Sequence, residues 1–179
     1  MTKFRTGNGA AWLDLLATLE GRYRARQVDA LDGPAALRAW LREKALEPAA
    51  AVTVADVEHA RTLREALHRT ATATLRGARP GSGDVRAIGR ALEADRPIRL
   101  HRAALRIARP ATAAEALARL ARDAVQDLTG PQLAHLHPCG DDTCSGIYLD
   151  TTGRRRWCSD QNCGNRIRVR AYRARARQA

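Results

Sequence analysis

All four cysteines of the 179-residue chain lie in one short stretch near its C-terminus. They form two pairs of equal spacing, Cys139-x4-Cys144 and Cys158-x4-Cys163, which are separated by 13 residues. Two cysteine pairs that flank a hairpin-sized insert are typical of a tetrahedral zinc site closed by four thiolates. Disulfides and unrelated free thiols are the alternatives, but a cytosolic chain keeps its thiols reduced, which favours zinc. We expect one structural zinc ion on these four side chains.

The residues between and after the pairs predict the elements that position the cysteines. Ile147 to Leu149 and Arg155 to Trp157 suit the two strands of a short hairpin with a turn between them. Ser159 is suited to cap a helix that begins at Asp160, because its hydroxyl can accept a hydrogen bond from a first-turn amide. Cys163 would then lie in that first turn. A knuckle, a hairpin and a helix in this order predict a treble-clef-like zinc finger.

The same stretch resembles a known family. Trp157-Cys158 followed by Cys163-Gly164-Asn165-Arg166 is similar to the CGNR zinc finger, which is named for that tetrapeptide, and Tyr148-Leu149-Asp150 is similar to that family too. Its members usually carry an N-terminal helical domain of the ABATE type and are described as transcription regulators. The resemblance implies such a domain here, with Leu13-Asp14 matching its opening and Ala17-Thr18 departing from the Asn-Thr of relatives.

Composition supports a mainly helical fold. Hydrophobic residues make up 45% of the chain but aromatic residues only 4%, and this balance favours packed helices over a β-sandwich. Thr129-Gly130-Pro131 predicts a boundary between a helical domain over residues 1–130 and the finger over residues 131–179. The first part is long enough to fold without metal, whereas the second is too short to do so. The predicted fold is therefore mainly α with a small β-hairpin.

Apolar periodicity and capping signals predict the elements of the helical domain. The first helix, Ala10 to Arg26, should bury Trp12, Leu15, Leu16 and Leu19. Asp32 should cap the second helix. The further predictions are a helix from Thr53 to about Arg76, a helix from Asp84 to Ala94, a hairpin over 97–101 and 104–108, and a helix after the capping box Thr112 to Glu115 that ends near Leu128.

Basic charge is concentrated at the C-terminus. The chain has a formal net charge of +12, and residues 154–179 hold nine arginines against one aspartate. Such a concentration predicts a polyanionic partner. On a helix, one stripe would contain Arg166, Arg170, Arg173 and Arg177, while Arg168 and Arg175 point the other way. Ile167, Val169 and Tyr172 are expected to pack on the zinc core, and Arg154, Arg155 and Arg156 to add phosphate contacts from the hairpin. Arg166 is alternatively a hydrogen-bond donor near the zinc cluster or to Asp150.

These features favour a zinc-dependent DNA-binding regulator whose helical domain forms a homodimer or senses a small molecule. The alternatives are an RNA-binding module and a protein-interaction adaptor with a purely structural finger. A zinc ion with four thiolates lacks the open position that hydrolysis needs, and the isolated histidines 59, 68 and 101 define no catalytic set, so no enzyme is expected. His135 and His137 are not expected to be ligands. The absence of a signal peptide or an apolar span predicts a cytoplasmic protein.

Overall fold

The computed structural model describes residues 4–97, 99–101 and 106–177. These residues form six α-helices and three antiparallel strand pairs, β1–β2, β3–β4 and β5–β6. The helices are α1 (Ala11–Leu16), α2 (Pro34–Glu43), α3 (Val54–Leu75), α4 (Ser82–Leu92), α5 (Ala113–Thr129) and α6 (Asn165–Ala176). The strands are β1 (Leu19–Glu20), β2 (Val28–Asp29), β3 (Leu100–His101), β4 (Arg106–Ile107), β5 (Leu136–Pro138) and β6 (Ile147–Leu149).

The predicted capping signals define the two longest helices. Thr53 accepts a hydrogen bond from the amide of Asp56 at 3.3 Å, and the Asp56 carboxylate accepts one from the Thr53 amide at 2.8 Å, which completes a capping box for α3. Thr112 caps α5 by accepting from the amide of Glu115 at 3.2 Å. The predictions for these two helices are confirmed. Because α3 packs against α1, α2, α4 and α5, it is the central helix of the body.

The first helix is much shorter than the prediction of Ala10 to Arg26, which is wrong beyond Leu16. Trp12 and Leu15 are buried as expected, but Leu19 belongs to β1, which pairs with β2. The physical reason is an ion pair between the buried Arg64 of α3 and Asp29 of β2, with a nitrogen–oxygen distance of 2.7 Å. This tertiary contact, together with the strand pairing, overrides helical periodicity in the segment.

The other predicted elements are confirmed with smaller differences. Leu37, Trp40 and Leu41 of α2 are buried, but the residue before α2 is Gly33, and Asp32 forms no side-chain cap. The hairpin predicted at 97–108 forms between β3 and β4. Residues 98 and 102–105 of that prediction lie outside the described residues.

The hydrophobic core runs past the predicted boundary at Gly130. Leu136 of β5 and Ile147 of β6 are buried in the same cluster as the side chains of α1, α3 and α5. The amide of Leu149 also donates to the carbonyl oxygen of Asn8 at 2.8 Å. The finger is therefore packed on the helical body through the β5–β6 hairpin.

Candidate metal centre

The first cysteine pair lies in the loop of a β-hairpin. β5 pairs with β6 in the register Leu136↔Leu149 and Pro138↔Ile147, and the Cys139 amide continues the ladder by donating to the Gly146 carbonyl at 2.8 Å. Residues 139–146 thus form a knuckle that presents Cys139 and Cys144 on one side.

The prediction that β6 pairs with residues 155–157 is wrong. The Asp150 carboxylate accepts hydrogen bonds from Thr152 and from the Arg155 amide, at 2.8 Å for the latter, so that amide is not available to a strand ladder. Residues 150–155 form a tight turn instead, and the preceding segment at Leu136 takes the place of the second strand.

The second cysteine pair is positioned by a capped helical turn. Ser159 accepts a hydrogen bond from the Asn162 amide at 3.2 Å, as predicted for an N-cap, and Cys163 lies in the turn Asp160–Gly164 that leads into α6. Gly146 allows the two pairs to approach, because a Cβ atom there would lie 2.7 Å from the Cys158 sulfur. The hairpin loop and the capped turn therefore bring the two cysteine pairs together.

The four sulfur atoms have the arrangement that a zinc ion requires. All four lie within 4.8 Å of one another. Three separations are shorter, with Cys144 to Cys158 at 3.7 Å, Cys158 to Cys163 at 3.6 Å and Cys163 to Cys144 at 3.6 Å. Tetrahedral zinc with bonds of about 2.3 Å places its sulfur ligands about 3.8 Å apart. The side chains present fit one zinc ion, and the cluster consists of the four predicted cysteines.

Hydrogen-bond donors surround the sulfur atoms. The guanidinium groups of Arg166 and Arg5 donate to Cys163 at 3.0 Å and to Cys158 at 3.6 Å. Burial, together with the negative charge of neighbouring thiolates, raises the pKa of Cys163 to about 11. The Cys163 thiol therefore resists ionisation until a cation compensates the charge of its neighbours, and zinc with four thiolates keeps a net charge of −2 that the arginines offset.

Arg166 also connects the cluster to a buried carboxylate. It forms an ion pair with Asp141 at 2.6 Å, and Arg170 approaches the same carboxylate at 3.2 Å and Asp142 at 2.9 Å. Burial disfavours the charge of Asp141, but hydrogen bonds from Arg166 and Thr143 lower its pKa to about 2. We call the contacts of Arg166 and Arg170 with Asp141, Asp142 and Thr143 the arginine clamp. It fixes the first half of α6 against the knuckle. Of the two alternative contacts predicted for Arg166, the structure contains the hydrogen bond near the zinc cluster, and the carboxylate that Arg166 contacts is Asp141 and not Asp150.

The other predicted arginines divide into two groups. Arg155 stacks over the ring of Tyr148 at 4.7 Å and donates to the Cys158 carbonyl at 2.9 Å, so it is bound within the finger. The exposed arginines are Arg154, Arg156, Arg173 and Arg177. The predicted stripe is thus brought together only in part, with Arg166 and Arg170 turned to the knuckle and Arg173 and Arg177 to solvent.

The prediction that apolar residues of α6 pack on the zinc core is wrong for two of the three. Val169 is 39% exposed and Tyr172 is 68% exposed, while Ile167 is half-buried. The helix contacts the finger through the turn before it and through the arginine clamp, and its distal half extends into solvent.

Polar contacts between the helical body and the knuckle were not predicted from the sequence. His68 of α3 is buried, and its Nε2 donates to the Ser145 carbonyl at 2.9 Å. Arg22 donates to the Ser145 hydroxyl at 3.2 Å, and Arg24 donates to the Thr143 hydroxyl at 3.2 Å. His68 and Ser145 are 77 positions apart and belong to no spacing motif, so sequence patterns cannot reveal this contact.

Comparison with protein-family models finds two matches. Residues 9–131 match ABATE, which is described as "Putative stress-induced transcription regulator". The chain belongs to the ABATE family. Residues 135–176 of this ABATE protein match the CGNR zinc finger, which confirms the resemblance of the sequence. A search of curated proteins finds no match.

The family matches and the sulfur geometry agree on the metal. The CGNR match contains all four clustered cysteines, and together they point to one structural zinc ion in this ABATE protein. The combination supports a zinc-binding protein. Within the part of the chain that the structure describes, no helix has the length and apolar composition needed to cross a membrane.

Proposed function

We propose that this ABATE protein is a zinc-dependent DNA-binding transcription regulator that acts in the cytoplasm without catalysing a reaction. The observation that carries the proposal is the exposed basic half of α6. Arg173 and Arg177 share one face there, and Arg175 lies on the opposite face. All three are exposed, and among the described residues their side chains form no hydrogen bond or ion pair. Free guanidinium groups on a projecting helix suit phosphate contacts and base edges.

The zinc ion and the arginine clamp would determine the direction of this helix. The zinc ion joins the start of α6 to the knuckle through Cys163, and Arg170 joins its second turn to Asp142. An α-helix with its side chains is about 10–12 Å across, and the major groove of B-DNA is about 12 Å wide, so the distal turns of α6 would fit within the groove. Arg154 and Arg156 would contact the phosphate backbone of the DNA from another side of the finger.

The helical body would supply the regulatory input. We propose that it forms a homodimer or binds a small molecule, and that its contacts with the knuckle through Arg22, Arg24 and His68 transmit the change to the finger. Size-exclusion chromatography with light scattering, at several protein concentrations, tests the dimer.

Salt dependence of duplex binding tests the DNA proposal. We expect Arg173→Gln and Arg177→Gln each to reduce the slope of log affinity against log salt by about 0.9 if the side chain contacts one phosphate. Arg175→Gln on the opposite face and Arg86→Gln on α4 remove the same charge and should change the slope less. Equal effects of all four substitutions would indicate a diffuse basic surface, and an absence of duplex binding at low salt would refute the proposal.

RNA binding is a second candidate because of one observation. Tyr172 is 68% exposed among the free arginines of α6, where its ring is available for stacking on an unpaired base. Binding of single-stranded RNA, single-stranded DNA and duplex DNA by the wild-type protein and by Tyr172→Ala separates the candidates. A preference for single strands that Tyr172→Ala abolishes would favour RNA.

A further inference from the structure

A basic cleft lies in the helical body, outside the finger. Its volume is about 520 Å³, and it is lined by the segment before β3, the segment after β4 and the start of α5. Four guanidinium groups reach its lining, those of Arg96, Arg99, Arg109 and Arg119, whereas Glu115 is the one acidic side chain recorded in the lining among the described residues.

Arg119 is the most informative of these side chains. It is only 9% exposed, and both of its terminal nitrogens donate to the Ala108 carbonyl, at 3.2 and 3.3 Å. Within residues 4–97, 99–101 and 106–177, Arg119 forms no ion pair with a carboxylate. The Asp123 carboxylate, one turn further along α5, is close enough to act on Arg119 electrostatically, but no described carboxylate pairs with it directly. A buried cation without a direct ion pair is unfavourable, and an anion bound in the cleft would supply that partner.

The remaining groups increase the positive potential of the cleft. Arg96 and Arg99 are exposed at its edge, and their side chains form no hydrogen bond or ion pair with other described residues. Arg109 is held by the carbonyl oxygens of Glu47 and Pro48, at 3.2 and 3.0 Å, and its charge is partly offset by the Glu47 carboxylate at 3.8 Å. Glu115 is occupied by the amide of Ala111 at 2.8 Å, so its carboxylate is not directed at the arginines. The N-terminal end of the 17-residue α5 adds a positive dipole.

We propose that this cleft binds a small phosphate-bearing molecule with at least two negative charges. Arginine forks match phosphate oxygens, and the volume of the cleft lies within the usual range of small-molecule sites, about 300–1,000 Å³. Arg96 and Arg99 bind the terminal phosphate, and Arg119 provides a fixed charge deeper in the cleft. The proposal does not depend on DNA binding by the finger.

Calorimetric titration with inorganic pyrophosphate, at an ionic strength held constant with sodium chloride, tests the site. The wild-type protein should bind pyrophosphate, and Arg96→Gln/Arg99→Gln should raise the Kd by about tenfold or more, because each lost contact is a charge-assisted hydrogen bond. Both residues are exposed, so the double variant should fold normally, which a thermal melt checks.

Two charge-matched controls make the test specific. Arg86→Gln/Arg90→Gln on α4 and Arg173→Gln/Arg177→Gln on α6 remove the same charge elsewhere and should leave the Kd for pyrophosphate unchanged. The α6 variant should lose affinity for DNA while it still binds pyrophosphate, so the two proposals can fail or succeed independently. An absence of pyrophosphate binding at millimolar concentration, an equal loss in all three double variants, or an unchanged Kd in Arg96→Gln/Arg99→Gln would overturn the proposal.

Discussion

Arg166, the last residue of the Cys-Gly-Asn-Arg tetrapeptide, joins the metal centre to the protein around it. Its guanidinium donates to the Cys163 sulfur at 3.0 Å and pairs with Asp141, whose side chain is fully buried. Its positive charge thereby compensates part of the negative charge of the thiolates. The same side chain connects the second cysteine pair to the knuckle that carries the first. Arg166 thus supports the zinc site from outside the coordination sphere.

Replacing Arg166 should weaken zinc binding without removing a ligand. We expect Arg166→Ala to reduce zinc affinity by about 10–100-fold, the usual effect of losing a side chain that supports a ligand. Competition with a chromogenic chelator measures the affinity. The matched control is Arg156→Ala, which removes an exposed arginine of the same finger. Equal affinities of the two variants would show that the contact with Cys163 has no influence on the metal.

The cysteine set makes a stricter prediction of stoichiometry. Elemental analysis of protein purified without added metal should find about one zinc per chain, because four thiolates complete one tetrahedral site. Cys158→Ser should fall well below this value, because Cys158 lies within 3.7 Å of both Cys144 and Cys163. A variant that retains the full zinc content would exclude Cys158 as a ligand.

Among the elements, prediction from sequence succeeded where local signals decide the structure. Thr53, Thr112 and Ser159 mark helix starts because each cap depends on side chains and amides a few residues apart. It failed where a distant partner decides. The end of α1 depends on Arg64 and Asp29, and the partner of β6 depends on Leu136, so neither could be read from local periodicity. The metal ligands could be predicted because the cysteine spacing identifies them, whereas no sequence pattern marks the contact of His68 with the knuckle.

The contact between the N-terminal segment and β6 permits a matched test at the level of elements. Gly9 has a φ of +99°, and a Cβ atom there would lie 2.8 Å from the Cβ of Leu149. Gly7 has a similar φ of +85°, but a Cβ atom there would meet nothing within 4 Å. Gly7→Ala should therefore cost about 1–2 kcal/mol from backbone strain alone. Gly9→Ala should cost about 1–3 kcal/mol more from overpacking.

Urea denaturation followed by circular dichroism measures both glycine variants. The difference between the two free energies of unfolding isolates the packing of Gly9 on β6 from the conformational preference that both positions share. Equal destabilisation of the two variants would show that the segment does not press on Leu149.

For the whole molecule, the structure adds a shared core to the predicted division at residue 130. Leu136 and Ile147 are 3% and 4% exposed within the cluster formed by the helices of the body. The hairpin that carries them is closed at its loop by the zinc knuckle. Loss of the metal should therefore loosen the hairpin and weaken its packing on α1 and α3.

Chelation of zinc should retain most of the helical signal but lower the melting temperature of the helices. Thermal melts by circular dichroism, with and without chelator, measure the change. Leu136→Ala should cost about 2–5 kcal/mol as a core truncation, and chelator should then lower its melting temperature less than in the wild type, because the two changes affect one contact. An unchanged melting temperature of the wild-type protein in chelator would show that the body folds independently of the finger.

The β5–β6 hairpin in the shared core also determines whether the finger can be moved to another protein as an independent domain. A fusion that carries residues 131–179 to another sensor would leave the apolar side chains of Leu136 and Ile147 facing water, and the Leu149 amide without the Asn8 carbonyl. Such a chimaera would expose an apolar patch that promotes aggregation, unless the new domain supplied an apolar surface and a backbone hydrogen-bond acceptor at matching positions. Recombination with a different sensor would succeed most readily when the junction lies before Asn8, so that the finger moves with the body to which it is fitted.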